Sequence, residues 1–164
     1  MTAIRLAKIA LTAGAGLLFL IVGFDNCIDY GTNFDVVKHI LAMDMIPAGG
    51  AFAGRAITAA GIHHLFYVGI ILVEIAGGIV TLAGAARLWR ARLAAARDFN
   101  HEKSVAVTAL AAVFGLYFIG FTTIGGEWFQ MWRAGAYNMQ EPAYRFIGSV
   151  GLVLLFLNQP DEDV

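Results

Sequence analysis

Between Arg55 and Arg87 the chain reads AITAAGIHHLFYVGIILVEIAGGIVTLAGAA, an apolar run fenced by one arginine at each end, with Glu74 near its middle. A helix rises about 1.5 Å per residue, so this run crosses the roughly 30 Å hydrocarbon core of a bilayer with a turn or two to spare. The stretch is read as a membrane span. An ionisable side chain at that depth costs about 2.5–3.5 kcal/mol on insertion scales, so Glu74 is expected to face protein or water rather than lipid. His63, Tyr67 and Ile70 fall on the same helical face as Glu74. Such a stripe suits a proton path or a bound quinone. It suits equally a seam of hydrogen bonds that glues helices together, which is the reading adopted here.

Composition agrees with a membrane protein. Of 164 residues 59% are hydrophobic and only 14% charged, outside the range of soluble globules. The length suits one domain, 1–164. With a net charge of −1 there is no basic surface for nucleic acid. The single cysteine, Cys27, excludes an internal disulfide and CxxC redox chemistry; it reads as a small side chain near the interface.

Upstream, Arg5 and Lys8 precede an apolar run from Ile9 to Phe24 that lacks a small-x-small cleavage pattern, so it is read as a first span, about 6–24. Gly14, Gly16 and Gly23 give it a small-residue face for close helix approach. The segment from Asp25 to Asn33 is polar and rich in turn formers. From Phe34 to Met45 apolar residues recur at helical spacing, which predicts a short amphipathic helix on the periplasmic interface, ended by Pro47-Ala48-Gly49-Gly50.

Downstream, the central span covers about 56–86, a third about 104–124, broken by Gly125-Gly126, and a fourth about 142–158, with Pro142 in its first turn. The outer loops are then 25–54 and 125–141. Trp89 reads as an interfacial anchor, as do Trp128 and Trp132, expected on one helical face. The tail from Pro160 reads as a solvated end. Arg5, Lys8, Arg87, Arg90, Arg92, Arg97 and Lys103 lie on one side, and only Lys38, Arg55, Arg133 and Arg145 on the other. The positive-inside rule therefore predicts both termini in the cytoplasm. The fold class is all-α: an integral-membrane four-helix bundle with a short periplasmic interfacial helix.

Two stretches carry a resemblance. Asn26 to Phe34 with Val37 to Asp44 resembles the first loop of the DUF2165 family of small integral membrane proteins, and Gly126 to Trp132, with Asn138, Gln140 and Ala143 to Phe146, is similar to its second loop. The similarity covers nearly the whole chain. It implies a four-helix protein of the bacterial inner membrane and carries over no catalytic residue. One departure is Gly54 before Arg55, where the family commonly has Trp next to Arg.

Three further groups bear on function. A haem b needs two facing imidazoles, and His39, His63 and His64 are the candidates; His63 and His64 lie about 100° apart on one helix and cannot share an iron. The outer loops hold Asp25, Asn26, Asp29, Tyr30, Asn33, His39, Asp44 and Glu127 as a polar cap, in which Arg145 is expected to pair with Asp25, Asp29 or Glu127. Carboxylates with His39 suit a metal, but no ligand spacing recurs, so ion pairs between the loops are expected and no metal site. No cofactor is predicted. The expected function is a non-catalytic accessory subunit of a larger inner-membrane complex, in contact with the lipid bilayer and with partner subunits. The alternatives are a quinone- or haem-binding membrane anchor and a small oligomeric transporter or assembly factor.

Overall fold

The first apolar run folds as α1, Ala3–Ile28, a helix that continues one turn past Phe24 into the polar segment. This computed structural model describes residues 3–46 and 50–162. Pro47, Ala48 and Gly49, the expected stop after the amphipathic helix, lie outside the described residues. The polar segment 25–33 was expected to be a turn-rich loop, yet it is almost wholly helical. Only Asp29 interrupts it, and α2, Tyr30–Ala42, follows immediately. Asn26 explains the difference, because it is buried and donates to Glu74 instead of to water, and the exposed Asn33 bonds back to it. Met43 ends α2 in the left-handed region at φ 52°.

The organising run becomes α3, Ala60–Arg90, starting four residues later than its apolar boundary suggests. Residues 56–59 are not helical. The Ile57 N–H instead bonds the Leu41 carbonyl at 2.8 Å, and the His63 ring bonds the Ile57 carbonyl at 2.7 Å. Arg55 packs its guanidinium over the rings of Phe52 and Trp128, at 4.2 and 4.3 Å. These two rings supply the aromatic contact that Gly54 does not.

α4, Ala96–Gly115, passes without a break into a π-helical segment, Leu116–Trp128. Gly125-Gly126 does not end the helix as expected. The wider turn shows in its bonds: Thr122 and Thr123 hydroxyls donate to carbonyls five residues back, as does the Phe129 N–H. Gln130, at φ 56°, then turns the chain, so Trp132 falls in a separate 3₁₀ turn, Met131–Arg133. Trp128 and Trp132 therefore do not share one helical face. α5, Gln140–Asn158, begins with the Gln140 N–H bonded to Asn138 Oδ1, and Pro142 sits in its first turn as expected.

Among the described residues, three helices are long and apolar enough to cross a membrane: α1, α3 and the continuous Ala96–Trp128. Between such helices lipid offers no hydrophobic drive, so close packing and hydrogen bonds must hold them. Glycine makes that packing. A Cβ on Gly78 would lie 2.8 Å from the Leu20 backbone nitrogen, and one on Gly84 would lie 2.8 Å from that of Ala106. The first contact joins α3 to α1 and the second joins it to α4. α5 lies along α4, the π segment and α1. Phe19, Leu110, Val113, Tyr117, Val150 and Leu157 fill the space among them. A second apolar cluster, Ile40, Leu41 and Met43 with Phe129, Met131 and Ala134, seats α2 on the chain that follows the π segment.

The opposite end corrects the expectation of a solvated tail. Lys8, 1% exposed, donates to Asp161 and to the Gln159 carbonyl, each at 2.7 Å. Lys103 reaches the same two acceptors, and Asn100 exchanges a reciprocal pair of bonds with the Asp161 backbone. The tail is latched because two buried ammonium groups require an anion, and Asp161 is the carboxylate that reaches them. Arg5 joins this cluster at 3.7 Å from Asp161 and donates to the carbonyls of Arg92 and Ala94.

Candidate functional site

Near the midpoint of α3, Glu74 is 2% exposed and faces protein, as its depth requires. Three elements converge on it. From α1 the Asn26 amide donates to Oε2 at 2.8 Å, and from the π segment the Tyr117 hydroxyl donates to Oε1 at 2.7 Å. Asn26 is itself fixed: Asn33 of α2 donates to its Oδ1 at 2.6 Å, and Tyr67 donates to its backbone carbonyl at 3.3 Å. Glu74 acts as acceptor on both oxygens, while Asn26 accepts on its side-chain and backbone oxygens. No Lys or Arg takes part.

Beside the junction lies a chamber of about 110 Å³ walled by Asn26, Tyr67, Glu74, Tyr117, Phe121 and Phe146 among others. The π segment makes room for it, since its wider turn carries Tyr117 and Phe121 on the inner side. Tyr117 also stacks on Phe146 at 4.4 Å and Phe121 at 5.3 Å, which orients its hydroxyl. A larger apolar groove of about 510 Å³ adjoins it between α2, α3 and the π segment.

The predicted membrane protein family DUF2165, small integral membrane proteins, matches residues 4–160. The chain belongs to the DUF2165 family. With three helices of spanning length and character, this DUF2165 protein is an integral membrane protein. Neither the comparison with curated proteins nor that with solved structures gives a match.

Of the expected seam in this DUF2165 chain, His63, Tyr67 and Glu74 are all buried on one face of α3. Only Tyr67 and Glu74 belong to the junction; His63 is spent on the Ile57 carbonyl. The expected outer cap divides into separate groups. Asn26 and Asn33 serve Glu74. Tyr30 bonds His64 at 2.8 Å, and the His64 ring stacks on Phe34 at 4.1 Å. His39 bonds Asp44 at 2.8 Å and lies against Tyr137, whose hydroxyl donates to Asp35 at 3.1 Å. That bond to a carboxylate pushes the Tyr137 phenol above its ordinary value. Asp29 accepts from Thr32, while Asp25 and Glu127 are exposed.

Arg145 does not join Asp25, Asp29 or Glu127. It pairs with Glu141 one turn back on α5, where both are exposed, because that acceptor is always within reach on its own helix. The two outer segments meet instead through the Ile40–Phe129 apolar cluster and the bond from Arg55 to the Trp128 carbonyl. Trp89, Trp128 and Trp132 are exposed, and Arg92 covers Trp89 at 4.3 Å.

For a haem, the three candidate imidazoles are each engaged: His63 with Ile57, His64 with Tyr30 and Phe34, His39 with Asp44. Among the described residues no group of three or more His, Cys, Asp or Glu side chains is placed to hold a metal ion. Sequence reasoning passed over Tyr117, although the one tyrosine of an apolar span is a signal that its hydroxyl has a buried acceptor. It also passed over Lys103 and Asp161 as partners, for which the sequence offers no signal at a separation of 58 positions.

Proposed function

We propose that this DUF2165 protein is a non-catalytic accessory subunit of a larger bacterial inner-membrane complex, such as an energy-transducing one. In this reading α5 is the fourth span, both termini are cytoplasmic, and α2 lies at the periplasmic face. The single domain then extends over 1–164 with its two outer segments forming one cap.

The observation that carries the reading is the closure of the Glu74 junction. Its donors end on acceptors within the protein, two on Glu74 and two on Asn26, and these bonds join α1, α2, α3 and the π segment. Such an arrangement supplies contacts rather than chemistry. Much of the small-residue surface, including Gly16, Gly23, Gly77, Gly78 and Gly84, is used between its own helices. Gly14 and Gly148 are not: a Cβ at either meets nothing within 4 Å, which leaves those helix faces open to a neighbour.

The 19 residues of α5 rise about 28 Å, close to the hydrocarbon thickness, which supports a fourth crossing. Four crossings return the C-terminus to the side of Arg5, Lys8 and the cation-rich 87–103 segment. The test is gentle solubilisation from native membranes, affinity isolation and mass measurement. A stoichiometric partner is expected. A bare monomer or simple homo-oligomer contradicts the proposal.

A further inference from the structure

We propose that the chamber beside Glu74 and the apolar groove that adjoins it form one binding site for an isoprenoid quinone or its quinol, with the ring in the chamber and the tail in the groove. This goes beyond the subunit reading and does not rest on it. The two spaces adjoin at Val36, Val37, Ile70 and Phe121, which line both, and in the proposed pose the tail leaves the chamber between these side chains. The groove, at about 510 Å³, is of the size of small-molecule sites, roughly 300–1,000 Å³. Its described lining is apolar or glycine throughout.

Three features select the occupant. The first is charge: neither space is lined by Lys or Arg among the described residues, and the ionisable group present is Glu74. A phosphate headgroup finds no partner there. The second is the approach, because the groove that adjoins the chamber is lined by apolar residues and glycine alone. Phospholipid headgroups stay at the interface, whereas an uncharged ring can reside in the hydrocarbon. The third is shape. Tyr67, Tyr117, Phe121 and Phe146 put four aromatic rings on the chamber, surfaces on which a flat ring stacks at offset geometry.

The hydrogen-bonding capacity fits as well, without breaking the junction. Each Glu74 oxygen accepts one bond and keeps a second lone pair, so a quinol hydroxyl has an acceptor; the Asn26 amide spends one of its two N–H groups on Glu74, and the other can donate to a quinone carbonyl. The site holds the ring, and no electron transfer is assigned to this chain.

The test uses the full-length protein in lipid nanodiscs with an azido-ubiquinone photolabel, peptide mapping, and competition by decylubiquinone. Saturable labelling is expected on the segments that contain Ile70 and Phe121. Two occluding variants probe the groove: a Cβ at Gly69 meets nothing within 4 Å, and one at Gly120 meets only Leu116 at 3.6 Å. Gly69→Phe and Gly120→Leu should keep the wild-type melting profile, and either should weaken labelling by about tenfold or more, equivalent to 1.4 kcal/mol. Labelling that does not saturate, that persists in both folded variants, or that a ringless isoprenoid alcohol competes away equally well overturns the proposal. Such a failure leaves the subunit reading to its own mass measurement.

Discussion

The side-chain amide of Asn26 donates to Glu74 across 2.8 Å, joining two residues 48 positions apart and tying the end of α1 to the middle of α3. Asn26 also accepts from Asn33, so one residue links three helices. Replacing it by Ala returns the exposed Asn33 amide to water but leaves the buried Glu74 Oε2 without its donor. An unsatisfied buried polar group costs about 1–3 kcal/mol, and Asn26→Ala is expected to lower unfolding stability by about 2 kcal/mol. Chemical denaturation in mild detergent measures this. An unchanged midpoint would show that the link carries no load.

The glycine contacts make a position-specific prediction. Gly78→Ala pushes a methyl onto the Leu20 backbone, and overpacking of this kind costs about 1–3 kcal/mol. Gly148→Ala meets open space and should leave the isolated protein as stable as wild type. Parallel melting curves separate the two, and equal losses at both positions would contradict the packing described for α1 and α3.

The tail latch is sensitive to acid. Burial works to raise the Asp161 carboxyl, but hydrogen bonds from Lys103 and Lys8 outweigh it and hold the group below the usual carboxylate range. A carboxyl lowered on folding lends stability that is present above its unfolded value near pH 3.9 and is lost as pH falls through the folded value. The tail should therefore stay latched down to about pH 4 and release only below it. A spin label at Glu162→Cys, in a Cys27→Ser background, reports its mobility. Asp161→Asn breaks a buried pair at a cost of about 3 kcal/mol and should free the label at every pH. Release already at about pH 6, far above the carboxylate range, would contradict the assignment.

Cys27 is exposed near the end of α1 and serves as a native probe of sidedness. With the outer segments periplasmic, a membrane-impermeant maleimide should modify it in whole cells with a permeabilised outer membrane. Modification confined to inverted vesicles would reverse the proposed topology.

Much of this is legible in the sequence. Hydropathy alone places Glu74 in a span and requires that it face protein, and helical spacing puts Tyr67 and His63 on its face. The partners were not legible. Asn26 and Asn33 sit in a run of polar residues that resembles a turn, because composition cannot tell a side chain solvated by water from one satisfied by a distant carboxylate. Gly125-Gly126 resembles a helix stop, yet a π segment accommodates glycine where the wider turn needs little side-chain support. Asp161 resembles a solvated tail residue until two buried lysines are seen to converge on it. For Asn26 and Asp161 the local pattern is overridden by a bond made across the sequence.

The central claim is that Glu74 joins the helices by accepting hydrogen bonds, and unfolding stability of two variants tests it most directly. Glu74→Gln keeps one acceptor oxygen and should fall modestly below wild type. Glu74→Leu removes both acceptors, leaves the Asn26 amide and the Tyr117 hydroxyl unpaired in an apolar setting, and should lose about 2–4 kcal/mol. That order, wild type above Gln above Leu, is the predicted result. A Glu74→Leu protein as stable as wild type would contradict the account.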